Sequence, residues 1–154
     1  MSVTIPTTLT GGSQTGFTSP TYTTAAGTFP GVNGRLNYVT AIGGTQVGVR
    51  IHSVSDPFTA AVFAPLAPKA LGSMNSNGIY TNVPVNVYGV GIRKGLIPAA
   101  NQPSAIGGVD VRIRVPAGSD SYDAANVRAM IAACVAMLNQ LSSSLGDTAV
   151  AGQL

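Results

Sequence analysis

Alternation of apolar and polar positions is the strongest signal along this chain. In the last extended segment Val109, Val111, Ile113 and Val115 point to one side while Asp110, Arg112 and Arg114 point to the other. Val47, Val49 and Ile51 oppose Gly48, Arg50 and His52 in the same way. In Val83–Val87 the valines oppose Asn86 and then Tyr88, and parity slips after Gly89, where Val90 and Ile92 break the pattern. A β-bulge is expected there, because glycine permits the required dihedrals. The pattern predicts a sheet with one apolar face and one face carrying Arg, His, Asn and Tyr.

The period changes near the C-terminus. Val127, Ile131, Cys134, Leu138, Leu141 and Leu145 recur at spacings of three and four, widened by Ala124, Met130 and Met137. That is one continuous stripe of an amphipathic helix. Residues 119–145 contain no Pro or Gly before the helix end, Ser119 or Asp120 can cap the start, and Asp123 suits the positive end of the dipole. Gly146 is expected to stop the helix, leaving 146–154 as a tail. A helix from 121 to 145 is about 37 Å long, more than one small sheet is wide, so part of the stripe is expected to cover a neighbouring copy.

Turn residues divide the first 118 positions into strands. Ser2–Thr10 and Phe17–Thr24 flank a Gly-Gly-Ser-Gln-Thr-Gly stretch and read as a hairpin. Arg35–Ile42 and Thr45–Val54 flank Gly43-Gly44, a two-residue hairpin turn. Ala60–Ala64, Val83–Ile92 and Val109–Val115 complete the set, and Arg93–Gly108 reads as a long loop with Pro98 and Pro103. Strands followed by a helix make an α+β chain, read as a single domain over 1–154.

Composition changes the picture in one respect. Only 8% of the 154 residues are charged, with no Glu, while 45% are apolar. A monomer so poor in charge has little to keep its copies apart, so much of its surface is expected to be buried in an assembly. Net charge is +3, too small for a tight monomeric nucleic-acid binder but adequate where many copies line one surface. Nothing at the start resembles an export signal, and no apolar run approaches the ~20 residues of a membrane span, so assembly in the cytoplasm is expected.

Candidate chemistry is sparse. Arg50, Arg112 and Arg114 suit phosphate or unpaired bases, against the plain alternative of a solvated sheet face. Tyr88 and Asn86 could stack on and hydrogen-bond a base, or serve as ordinary strand residues. His52 has no partner at metal-ligand spacing, and the single Cys134 sits mid-stripe as a small hydrophobe. Gly89 and Gly91 lack the strand–helix context of a phosphate loop, and the five aspartates are scattered. Neither catalysis, a metal nor a cofactor has a candidate.

The run Gly108-Val109-Asp110-Val111-Arg112-Ile113-Arg114-Val115-Pro116, followed by Ala117-Gly118-Ser119-Asp120 and the Ala/Leu/Met helix to Leu141, resembles the end of single-stranded RNA bacteriophage coat proteins. The resemblance covers nearly the whole chain in architecture and residues 108–145 in detail. It implies an N-terminal hairpin, a five-stranded antiparallel sheet and C-terminal helical structure, with two subunits interlocked so that each one's helices lie across the partner's sheet. Val127, Ile131, Cys134, Leu138 and Leu141 would then form the dimer interface. It further implies an icosahedral virion shell with helices outside and the sheet toward single-stranded genomic RNA, and repression of translation by binding a hairpin in that RNA. Arg50, His52, Asn86, Tyr88, Arg112 and Arg114 would face the RNA, while Arg93, Lys94, Pro98 and Pro103 would sit on a loop meeting its copies at symmetry axes.

The chain departs from the family in two places. Extra length falls in 53–82, and Arg112 and Arg114 stand where the best-known relatives carry Thr and Glu, which implies a different RNA hairpin. Three arginines per subunit predict about six phosphate contacts per dimer. Other classes remain open: a dimeric single-stranded nucleic-acid-binding module, which would call for a stronger basic patch, and a shell, pilus or adhesin subunit, which would call for an export signal or no basic face.

Overall fold

A computed structural model describes residues 3–152. Ser2 of the expected first strand and the last two residues of the expected tail lie outside them. The described chain forms a six-stranded antiparallel sheet in simple sequence order: β1 (Thr8–Thr10), β2 (Thr18–Gly27), β3 (Gly34–Thr45), β4 (Phe58–Phe63), β5 (Val85–Leu96) and β6 (Ala105–Pro116). Three helical segments follow: α1 (Ser119–Tyr122), α2 (Ala124–Gln140) and α3 (Ser142–Ala151). The N-terminal hairpin β1–β2 is thus part of the main sheet.

Several sequence expectations are corrected. Gly43-Gly44 is not a hairpin turn: β3 runs through both, and Thr45–Val54 is not a strand. Gly43 pairs with Thr21, and Gly44 takes a left-handed φ of 72°, with no room for a Cβ beside the Thr18 and Ser19 carbonyls. The register shifts by one residue at Ser19–Pro20 opposite it, so the glycines admit a bulge instead of a turn.

No bulge follows Gly89. β5 and β6 pair without a register shift from Val85↔Pro116 to Leu96↔Ala105, which turns half of the expected loop Arg93–Gly108 into strand. Only 97–104, with Pro98 and Pro103, remains as the connection. Gly89 and Gly91 are needed for what lies on them. The Phe63 ring occupies the space a Cβ on Gly89 would take, and the Asp110 carboxylate lies 2.7 Å from one on Gly91.

The C-terminal helix is broken. Neither Ser119 nor Asp120 caps it from outside; both lie within α1, whose N-cap is Gly118 at φ 88°. Asp123 stands at the N-cap of α2, where its charge suits the dipole. The chain bends by 60° between α2 and α3 at Leu141, and Gly146 lies inside α3. The expected tail is therefore helical to Ala151.

Register assigns every side chain to a face. Asn37, Val39, Phe58, Ala60, Asn86 and Val115 share one face and are buried there. α2 crosses this face, and we call it the helix face. Leu36, Tyr38, Thr59, Phe63, Arg93, Asp110, Arg112 and Arg114 share the other.

The helical segment is held at both ends. α1 leads directly out of β6, and α3 is tied to the β1–β2 turn at the opposite edge. There Gln14 Nε2 donates to the Ser142 carbonyl at 2.8 Å, and Thr15 Oγ1 donates to Asp147 at 2.9 Å. No side chain of the three helices is fully buried. Between α2 and the sheet lies an open apolar cleft of about 640 Å³, lined by Val62, Tyr88, Val90, Ile113, Val127 and Ile131, among others.

Candidate nucleic-acid interface

The face away from the helices carries three arginines. Arg112 and Arg114 are exposed on the edge strand β6, roughly 7 Å apart along it, with Asp110 next in line. Arg93 joins them on β5, exposed and level with Gly108. By sequence alone Arg93 is expected in a loop. The strand parity set by Gly89 and Gly91 puts it on the arginine face instead, and Lys94 on the helix face. Three guanidinium groups against one carboxylate leave the β5–β6 half of this face basic.

Arg50 is elsewhere. It lies in the β3–β4 connection, where its Nε hydrogen-bonds the Asp56 carboxylate and its Nη2 donates to the Gly95 carbonyl at 3.0 Å. Lys94 Nζ holds the other Asp56 oxygen at 2.9 Å. The Arg50 hydrogen bond, then Lys94, keeps the Asp56 carboxyl below its ordinary range, against the opposing effect of burial. This node also takes in Ser104, whose hydroxyl donates to the Ser55 carbonyl. The result joins the β3–β4 connection to the base of the 97–104 tip, and Arg50 is committed to it.

Asn86 and Tyr88 are on the wrong face for the role the sequence suggested. Asn86 is 8% exposed, and its amide is used twice on the backbone of one residue. Oδ1 accepts from Lys69 N at 2.8 Å, and Nδ2 donates to the Lys69 carbonyl at 2.9 Å. It pins the long 64–84 connection, which holds the extra length noted in the sequence. Tyr88 pairs with Ile113 and lines the apolar cleft. The misplacement came from assigning parity by Val85 and Val87. Those two valines open β5 on the arginine face, Val85 being 40% exposed, and the strand's inner side is marked by Val90 and Ile92.

His52 does reach the arginine face, though from a loop. Its ring stacks on Tyr38 at 4.5 Å between centroids. Tyr38 was overlooked by the sequence reading; its place in the alternation of Arg35–Ile42 was the available signal.

On the helix face the expected dimer residues fall in two groups. Val127, Ile131, Cys134 and Leu138 are half-buried toward the cleft. Leu141, at the bend, is 45% exposed, and Met130, Val135, Met137 and Leu145 are comparably bare. The accessible surface is 10706 Å², against about 7,200 Å² for a compact monomer of this mass. An excess of that size, much of it apolar, marks a chain whose core is incomplete alone.

No protein-family model and no curated protein matches the chain. Among solved structures, the chain is similar to the virus-like particle of bacteriophage ESE020, with 50% sequence identity and a TM-score of 0.96 over 99% of this chain and 100% of that one. It also aligns with the virus-like particle of Beihai levi-like virus 32, at 14% identity and a TM-score of 0.47 over 81% and 84% of the two chains. With its fold shared end to end and half of its residues identical to the phage ESE020 protein, this chain belongs to the coat proteins of the single-stranded RNA bacteriophages.

Proposed function

We propose that the chain dimerises by interlocking its helices, assembles into a closed icosahedral shell, and turns its arginine face inward to hold single-stranded RNA. The observation that carries this is the two-sided sheet: Arg93, Arg112 and Arg114 on one face, an uncovered apolar cleft and helix stripe on the other. A partner's helix supplies the apolar surface that Val127, Ile131, Cys134 and Leu138 lack. Burial at about 25 cal/mol per Å² of apolar area drives the association. The 97–104 tip, with Leu96 and Ile97 exposed beside Pro98 and Pro103, makes contacts between dimers.

Inside the shell, guanidinium groups neutralise phosphates and displace counterions. Repression of translation, where it operates, uses this same face on a hairpin of the RNA. The test is the RNA content of purified particles. Replacing Arg93, Arg112 and Arg114 together by Ala is expected to yield shells with a strongly reduced 260/280 nm absorbance ratio, whereas Arg50→Ala keeps the wild-type ratio. Equal RNA content in both variants contradicts the inward arginine face.

A further inference from the structure

We infer that His52 and Tyr38 form a stacking site for one unpaired RNA base beside the arginines; this rests on the arginine face being the RNA side. The Tyr38 ring lies on the bare backbone of Gly27, in the space a Cβ there would need. The His52 ring stacks on Tyr38 in turn, tilted by 33°. Both residues are half-buried, so the pair is fixed yet still open to solvent.

His52 is outside any strand, and two hydrogen bonds hold it in place. Its backbone N–H donates to the Val39 carbonyl at 3.0 Å, and its Nδ1 accepts the Phe58 N–H at 3.0 Å. An accepting Nδ1 assigns the proton of the neutral ring to Nε2, on the far edge. The site therefore offers a ring face and one N–H donor.

The neighbours fit a nucleotide. Tyr38 pairs with Thr59 and Thr59 with Arg93, so the aromatic pair and the Arg93 guanidinium start from one row of the sheet, roughly 10 Å apart at about 4.8 Å per strand. A base on His52 leaves its backbone within reach of Arg93. Stacking accepts any base, and the Nε2–H favours one with an acceptor on its edge. In a duplex, neighbouring base pairs cover the faces, so the site selects unpaired RNA.

The test uses the full-length protein, dissociated from shells and freed of co-purified RNA so that the sheet face is accessible, and two fluorescent RNA probes of equal length, an oligoadenylate and a blunt duplex. His52→Asn keeps an acceptor for the Phe58 N–H and removes the ring. It is expected to weaken oligoadenylate binding roughly fivefold or more and leave the duplex unchanged. His52→Phe, which keeps a ring, should retain most of the oligoadenylate affinity. Tyr38→Leu leaves the loop's hydrogen bonds alone and should act in the same direction as His52→Asn. Equal weakening on both probes, or on neither, overturns the stacking site. Where Arg112→Ala with Arg114→Ala weakens both probes and His52→Asn weakens neither, the RNA reading stands and the stacking site falls. Where the wild type binds neither probe, the RNA reading itself has failed and takes the stacking site with it.

Discussion

Arg50 and Arg93 carry the same charge in different places, and placement decides what each can do for RNA. Arg50 is bound to Asp56 and to the Gly95 carbonyl, while Arg93 stands on the open sheet with Arg112 and Arg114. In the proposed dimer those three on each subunit would meet about six phosphates, and the logarithm of the binding constant is expected to fall with log salt at a slope of about −4 to −5. Arg93→Ala is expected to flatten that slope by about 1.4 to 1.8, and Arg50→Ala to leave it alone, as read from titrations at several salt concentrations. Asn86 makes the complementary point about polar residues in strands. Its amide is buried and bonded through both its oxygen and its nitrogen to Lys69, so Asn86→Ala removes two hydrogen bonds and costs about 1–3 kcal/mol. Its signature in limited proteolysis is new cleavage within 64–84. Strand alternation correctly gave the faces of Arg112 and Arg114, because seven consecutive residues agree. It misjudged Asn86 and Tyr88 because a buried amide satisfied by a distant loop looks, in sequence, like a surface residue.

Among the elements, β5 and β6 show how glycine misleads a sequence reading. Gly89, Gly91, Gly95, Gly107 and Gly108 suggested a bulge and a long loop, yet all lie in one regular ladder. They are small because Phe63, Asp110, Asp56 and Leu96 lie against several of them. Such long-range contacts leave no local trace. The β3–β4 connection failed for a related reason: its apparent alternation from Val47 to His52 is not paired into a strand, and the segment is held by the Asp56 node. That node sets a pH dependence. The Asp56 carboxyl titrates below its ordinary value in the folded chain, so its contribution to stability is fully present above about pH 3.9. It is lost as pH falls through the depressed value. Acid unfolding curves should therefore show less stability loss on acidification in Asp56→Asn than in the wild type, with the variant already weaker at neutral pH. Identical pH profiles would contradict the node. The helix stripe was legible from Val127 to Leu138, since periodicity there is strong; the bend at Leu141 was not, because no Pro or Gly marks it.

At the scale of the whole molecule, low charge and surplus apolar surface tell one story. The chain exposes about 3,500 Å² more than a compact monomer of its mass would, and α2 leaves the cleft beneath it open. The sequence announced this through its scarcity of charge. Which surface meets which copy could not be read, because that depends on contacts between chains. Ile131→Asp puts a charge at the cleft and is expected to shift the full-length protein from assembled species to small or aggregated ones in size-exclusion chromatography with light scattering. Met130→Gln, on the helix's exposed side, is the milder comparison. The central claim is that this coat protein closes into a shell around RNA, and its most direct test is expression of the full chain in bacteria. The particles are then examined by negative-stain microscopy, and RNA is extracted after nuclease treatment. Uniform closed shells with nuclease-protected RNA are the predicted result; a small soluble species with neither particles nor RNA, across several salt concentrations, would contradict it.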